Sequence, residues 1–114
     1  MNTEIINQST YIKNEEIIHI LEQIFDPEHD FSIYDMGLVY KVIIDDNQIH
    51  VIMTLTTINC PEAHNIPVTV EQTIQEIYKD LKVSVEIVFE PPWTVDNMSE
   101  ELQQKLRTQL WTVA

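Results

Sequence analysis

Between Leu38 and Thr56 the chain reads LVYKVIIDDNQIHVIMTLT, two apolar runs around a short polar break. Leu38, Tyr40, Val42 and Ile44 alternate with Val39, Lys41, Ile43 and Asp45. Ile49, Val51, Met53 and Leu55 alternate in the same way with His50, Ile52, Thr54 and Thr56. Period-2 runs rich in β-branched residues read as strands, and the polar Asp45-Asp46-Asn47-Gln48 joins them into a hairpin. A hairpin with so apolar a face is not stable alone; something must cover it. That need constrains the fold more than any other feature.

The flanking segments supply the cover. A helix is expected from Lys13 to Phe25, with Asn14 as its cap and Glu15 and Glu16 at its positive end. Ile17, Ile18, Leu21, Ile24 and Phe25 would share its buried face, and Asp26-Pro27 would stop it. A second helix carries Val70, Ile74, Ile77, Tyr78 and Leu81 as its stripe, with Pro67 tolerated in the first turn. A third strand sets Val83, Val85, Ile87 and Phe89 against Ser84, Glu86 and Glu90. A last helix starts at a Ser99 cap and places Leu102, Leu106 and Leu110 four apart. The expected order is α-β-β-α-β-α: one α/β (α+β) two-layer sandwich, a three-stranded sheet covered by helices, with strand order open. Residues 1–12 show no sustained period and read as a loosely held tail ahead of a single domain over 13–114.

Charge and cysteine content narrow the function classes. Nineteen acidic residues stand against six basic ones, a net charge of −13, so no basic patch exists to track phosphates. Nucleic acid and anionic membrane surfaces are therefore poor partners. The acidity serves solubility or steers basic protein partners. One cysteine excludes an intrachain disulfide. With no secretory pattern and no apolar run of about 20 residues, a reducing cytoplasmic setting is expected.

That cysteine, Cys60, stands before Pro61 at the entrance to the second helix. As an N-cap it would have a lowered thiol pKa, which suits a nucleophile or metal ligand. The alternative is a small buried residue, the commoner fate of a free cysteine. His64, four residues on, could share a metal with it or act as its base, but two ligands fall short of a structural zinc site. Asp35 precedes the sole glycine, Gly37, where it either bonds a turn amide or supports the thiol. Thr56 and Thr57 end the second strand, and their hydroxyls either satisfy local backbone or face the same place. Trp93, after Pro91 and Pro92, either lids the core or anchors a partner. A thiol enzyme is the least supported chemistry, for no glycine-rich oxyanion loop accompanies Cys60.

Three blocks, taken in order, go beyond spacing: DPEHDFSIYDMGLVYKV, MTLTTINCP and EPPWTVDNMSEEL. Together they resemble the iron–sulfur cluster assembly domain family that includes the bacterial SufT and PaaD proteins. Asp26, Pro27, Glu28, Asp35, Gly37, Leu38, Val39, Thr54, Thr56, Cys60, Pro61, Pro91, Pro92, Trp93, Met98 and Ser99 match its pattern, over roughly residues 14 to 107. Met36 departs from the usual leucine and Glu90 from the usual aspartate, and the ending TQLWTVA lacks a cysteine-rich segment, which favours the SufT side. The resemblance implies the α/β fold and a non-enzymatic role in assembling clusters or transferring them to apo client proteins, with Cys60 as the reactive position. Assembly proteins and clients would then be partners. Clusters usually take four protein ligands, most often thiolates. Any cluster held here would be labile and bridge two chains in a homodimer, and none would be tightly bound to the isolated protein. The alternative is a metal-free adaptor in a multicomponent maturation or oxygenase system.

Overall fold

The hairpin forms where the alternation placed it. A computed structural model describes residues 3–25, 31–55, 65–94 and 97–104. In it β2 (Val39–Ile44) pairs antiparallel with β3 (Gln48–Met53). The turn closes through Asp45 N–H to Gln48 O, while the Asp45 carboxylate accepts from the amides of Asn47 and Gln48. An aspartate doing this mimics a backbone turn, so the polar break is a specified connection.

The sheet has four strands, which corrects the expected three. Residues 4–7, read from the sequence as part of a loose tail, form β1 (Glu4–Asn7), parallel to β2 along one edge. Thr3 Oγ1 donates to Val39 O at 2.7 Å, Gln8 N–H to Ile44 O, and Lys41 Nζ lies 3.5 Å from Glu4 Oε1. Just beyond β1, the Asp46 carboxylate accepts from the Thr10 amide and from the hydroxyls of Ser9 and Thr10, and the amide bond foremost holds its pKa below the usual value. A four-residue strand is too short for an alternating pattern to register. Its neighbours, not its own composition, make it a strand.

The element order is β1, α1 (Asn14–Glu22), β2, β3, α2 (Asn65–Ile77), β4 (Lys82–Ile87), with a further helical stretch at 100–104. The strands lie side by side in the order β1-β2-β3-β4, with β3 and β4 parallel. Two β-α-β crossovers are thus joined by one hairpin, since parallel neighbours need a helix-length connection and antiparallel ones do not. Ile17, Ile20 and Leu21 of α1 and Ile66, Val70 and Ile74 of α2 join Val42, Ile44, Ile49, Val51, Met53 and Val83 in one core. Each such side chain contributes about 1.5–3 kcal/mol by leaving water. Tyr78, just past α2, donates to Glu16 Oε2 of α1 at 2.9 Å, and burial with this bond raises its pKa to about 12.

The helix faces differ in detail from expectation. In α1 the buried set is Ile17, Ile20 and Leu21, with Ile24 just past the helix, while Ile18 is half-buried and Phe25 is 59% exposed. Asn14 begins the helix and Lys13 is its N-cap, without a side-chain bond. The Asn14 side chain accepts instead from Asn7 Nδ2, tying α1 to the end of β1. In α2 the helix ends at Ile77, so Ile77 is exposed and Leu81 packs from the following turn. Pro67 lies in the first described turn of α2.

One irregularity shapes the end of the sheet. The register between β2 and β3 shifts between Val39 and Lys41, a β-bulge. A bulge breaks the alternation, so Val39 as well as Val42 faces the core, while Tyr40 is half-buried and released from it.

Candidate functional site: one end of the sheet

The turn before β2, the exit from β3 and the exit from β4 all lie at the same end of the sheet, because β2 runs against β3 and β3 with β4. Carboxyl ends of strands are where open α/β sheets bind ligands. Leu55 is the last described residue before the segment that carries Cys60, so this end leads into it. Cys60, His64, Thr56 and Thr57 themselves lie outside the described residues.

The turn is built by residues 32–38. Ser32, nearly buried, accepts at Oγ from the Asp35 amide and at its carbonyl from the Met36 amide. Gly37 N–H donates to Tyr34 O, and Leu38 N–H to Ile33 O. Gly37 has φ +72°, a left-handed conformation natural only to glycine. A Cβ there would overlap the backbone carbonyl of Asn97. The glycine therefore meets both needs the sequence suggested, a sharp turn and a close backbone approach.

Residues 91–94 and 97–99 close over that turn. Trp93 Nε1 donates to the carbonyl of buried Met36 at 2.6 Å. Ser99 N–H donates to Asp35 O at 2.9 Å. Tyr40 Oη donates to Pro91 O at 2.7 Å and accepts from Asn97 Nδ2 at 3.2 Å. Beyond them, Ser99 caps the helical stretch as expected, its Oγ accepting from the Leu102 amide and its carbonyl from that of Gln103. Buried Thr54 joins β3 to this frame, its amide donating to Leu38 O at 2.8 Å.

Of the residues singled out from sequence, Asp35 and Trp93 meet here, at opposite ends of one clamp. Asp35 contributes its backbone; among the described residues no hydrogen bond engages its carboxylate, which lies half-exposed beside Tyr34. Burial, with Glu22 and Asp35 nearby, raises the pKa of the Tyr34 phenol. Trp93 is half-buried against the core, with its polar edge spent on Met36. Sequence reasoning missed Ser32, Tyr40 and Asn97. Tyr40 needs the bulge to be seen, and Asn97 meets Gly37 through its backbone and Tyr40 through its side chain, contacts that no local pattern announces. Among the described residues no group of three or more His, Cys, Asp or Glu is placed to hold a metal ion.

The Trp93 clamp carries a measurable share of stability. Trp93→Phe keeps the apolar ring but leaves the buried Met36 carbonyl without its donor, which costs about 1–3 kcal/mol. Urea unfolding should show that loss; an unchanged midpoint would mean the indole bond contributes nothing net.

Comparison with known proteins agrees with this geometry. A family model described as "Iron-sulfur cluster assembly protein" matches residues 14–87, a span that includes Cys60. The chain is similar to a "Fe-S protein maturation auxiliary factor" of Porphyromonas gingivalis, 38% identical over 93 residues, covering 81% of this chain and 89% of that one. The "Fe-S protein maturation auxiliary factor SufT" of Staphylococcus aureus is 42% identical over 77 residues, covering 67% of this chain and 88% of its own. Among solved structures, a domain of unknown function, DUF59, from Bacillus anthracis superposes with a TM-score of 0.73 at 32% identity, covering 81% of this chain and 89% of that one.

Proposed function

The chain belongs to the iron–sulfur cluster assembly protein family, and from that membership we propose that its part in iron–sulfur cluster maturation is played through Cys60, as a SufT-like carrier or assembly factor and not as an enzyme. The observation that carries the reading is the family match across residues 14–87, with the sole thiol of the chain inside it. The relatives are named auxiliary factors, which supports a non-enzymatic role.

The cluster is cargo. Four ligands are usually required, and one chain supplies one thiolate. Two chains, each giving Cys60, would therefore share the cluster, with small thiols or an assembly partner completing the shell. A cluster held so would be exposed and easily passed to an apo client protein in the cytoplasm.

Anaerobic reconstitution with iron, sulfide and glutathione, followed by size-exclusion chromatography with iron analysis, tests this. The expected result is iron eluting with a dimer and passing from it to an apo iron–sulfur enzyme. A stable, stoichiometric cluster on a strict monomer without added thiols would overturn the shared-cluster arrangement. A protein that stays colourless yet still speeds maturation would identify a metal-free adaptor.

A further inference from the structure

A groove crosses the outer face of the sheet, opposite the helices, and its chemistry is distinct from that of the thiol. Glu4, Lys41, Ile52 and Glu86 are successive cross-strand partners, one from each strand, and together they form its floor. Val88, Glu90, Pro91, Tyr40 and Asn97 line the rest of a space of about 460 Å³. The Tyr40–Pro91 hydrogen bond ties two of these lining residues together.

Charge is unevenly placed along the groove. At the β1 end Lys41 Nζ lies 3.5 Å from Glu4 Oε1, so the two largely offset each other. At the β4 end Glu86 and Glu90 have no such cation among the lining residues; Glu86 meets the ring of His50, Nε2 to Oε1, at 3.2 Å. Between the ends Ile52, Val88, Pro91 and the Tyr40 ring offer apolar surface. Crossing three strand spacings of about 4.8 Å makes the floor roughly 14 Å long, the reach of about four extended residues.

We propose that this groove docks an extended segment of a partner protein that carries a lysine or arginine at the Glu86–Glu90 end and an apolar side chain over Ile52 and Tyr40. Charge complementarity selects the occupant: the groove is acidic at one end and the whole chain carries −13, so a cationic partner is drawn in and an acidic one is repelled. The apolar middle then supplies what a purely electrostatic encounter lacks, a place for one side chain to leave water. Docking here does not require Cys60, so its failure and the failure of the cluster-carrying role are separable.

The test is a titration of the isotope-labelled full chain, followed by two-dimensional NMR, with the capped octapeptide Arg-Ser-Val-Ser-Arg-Ser-Val-Ser, whose arginines and valines share one face when it is extended. A glutamate–valine octapeptide serves as control. Expected are shifts confined to Tyr40, Lys41, Ile52, Glu86, Val88 and Glu90, binding weakened about tenfold between roughly 50 and 300 mM salt, and no response to the control. Glu90→Lys, on an exposed loop, should weaken binding about tenfold, and Glu86→Lys similarly, while Cys60→Ser binds as the parent chain does. Should either lysine variant lose its dispersed spectrum, the other carries the comparison. Shifts scattered over the whole acidic surface, binding unchanged in the lysine variants, or groove shifts that depend on protein concentration without peptide would each overturn the proposal. The last would make a second copy of this chain the occupant.

Discussion

Gly37→Ala is expected to destabilise the protein by about 3–5 kcal/mol, enough to remove a large part of the 5–15 kcal/mol typical of a small domain. Two costs add. Forcing a Cβ into the left-handed region costs about 1–2 kcal/mol. The new methyl also overlaps the Asn97 carbonyl, and because the obstacle is backbone no rotamer change relieves it. The chain must therefore shift the turn or release Trp93, Asn97 and Ser99 from it. Release would break the Trp93–Met36, Ser99–Asp35 and Tyr40–Asn97 bonds together. Urea unfolding followed by circular dichroism measures the loss, and amide exchange at Gly37, Leu38 and Ser99 should quicken even under native conditions. A change below about 1 kcal/mol would show that the turn and the closing segment are not coupled as described.

Cys60→Ser has the largest expected effect on function: cluster transfer to an apo client should fall about a hundredfold or more. Oxygen is a poor ligand for cluster iron, and no second thiol in the chain can substitute. If Cys60 serves the chemistry and not packing, stability should change by only about 0.5 kcal/mol. The pairing of these two outcomes is the informative part. Lost transfer in a protein with an unchanged unfolding midpoint assigns Cys60 to the chemistry. Retained transfer per folded molecule, with several kcal/mol of stability gone, would make Cys60 a packing residue and end the proposed role. Gly37→Ala supplies the contrast, since there the loss of transfer should follow the loss of folded protein.

Where the fold could be read from the chain, the signal lay within a short window. The Asp45 turn, the β3 alternation, Pro67 in a first helical turn and the Ser99 cap are each written in residues within about four positions of one another, and each appears as expected. Periodicity and capping act through local backbone geometry, so local sequence suffices for them. The three blocks that resemble a known family were legible for a different reason: they are specific as an ordered set, whether or not their contacts are understood. The identity of the chemical group was equally plain, because a chain with a single cysteine leaves no choice of thiol.

What tertiary structure decided is everything that depends on a distant partner. β1 is four residues long and becomes a strand because β2 offers it an edge. The bulge turns Tyr40 away from the core and toward Pro91, fifty-one positions along the chain, although plain alternation put it with Val42. Phe25 and Ile77, apolar at helical spacing, stay exposed, Phe25 past the end of α1 and Ile77 as the last residue of α2. Trp93 and Met36 are fifty-seven positions apart, and nothing local to either names the other. Asp35 stands out in the sequence for its carboxylate, yet the fold uses its amide and carbonyl, as it uses the backbone of Asn97 against Gly37. Side-chain chemistry can be read from sequence; which backbone groups must be met by distant ones follows only once the sheet has closed, because every buried N–H and C=O then needs a partner.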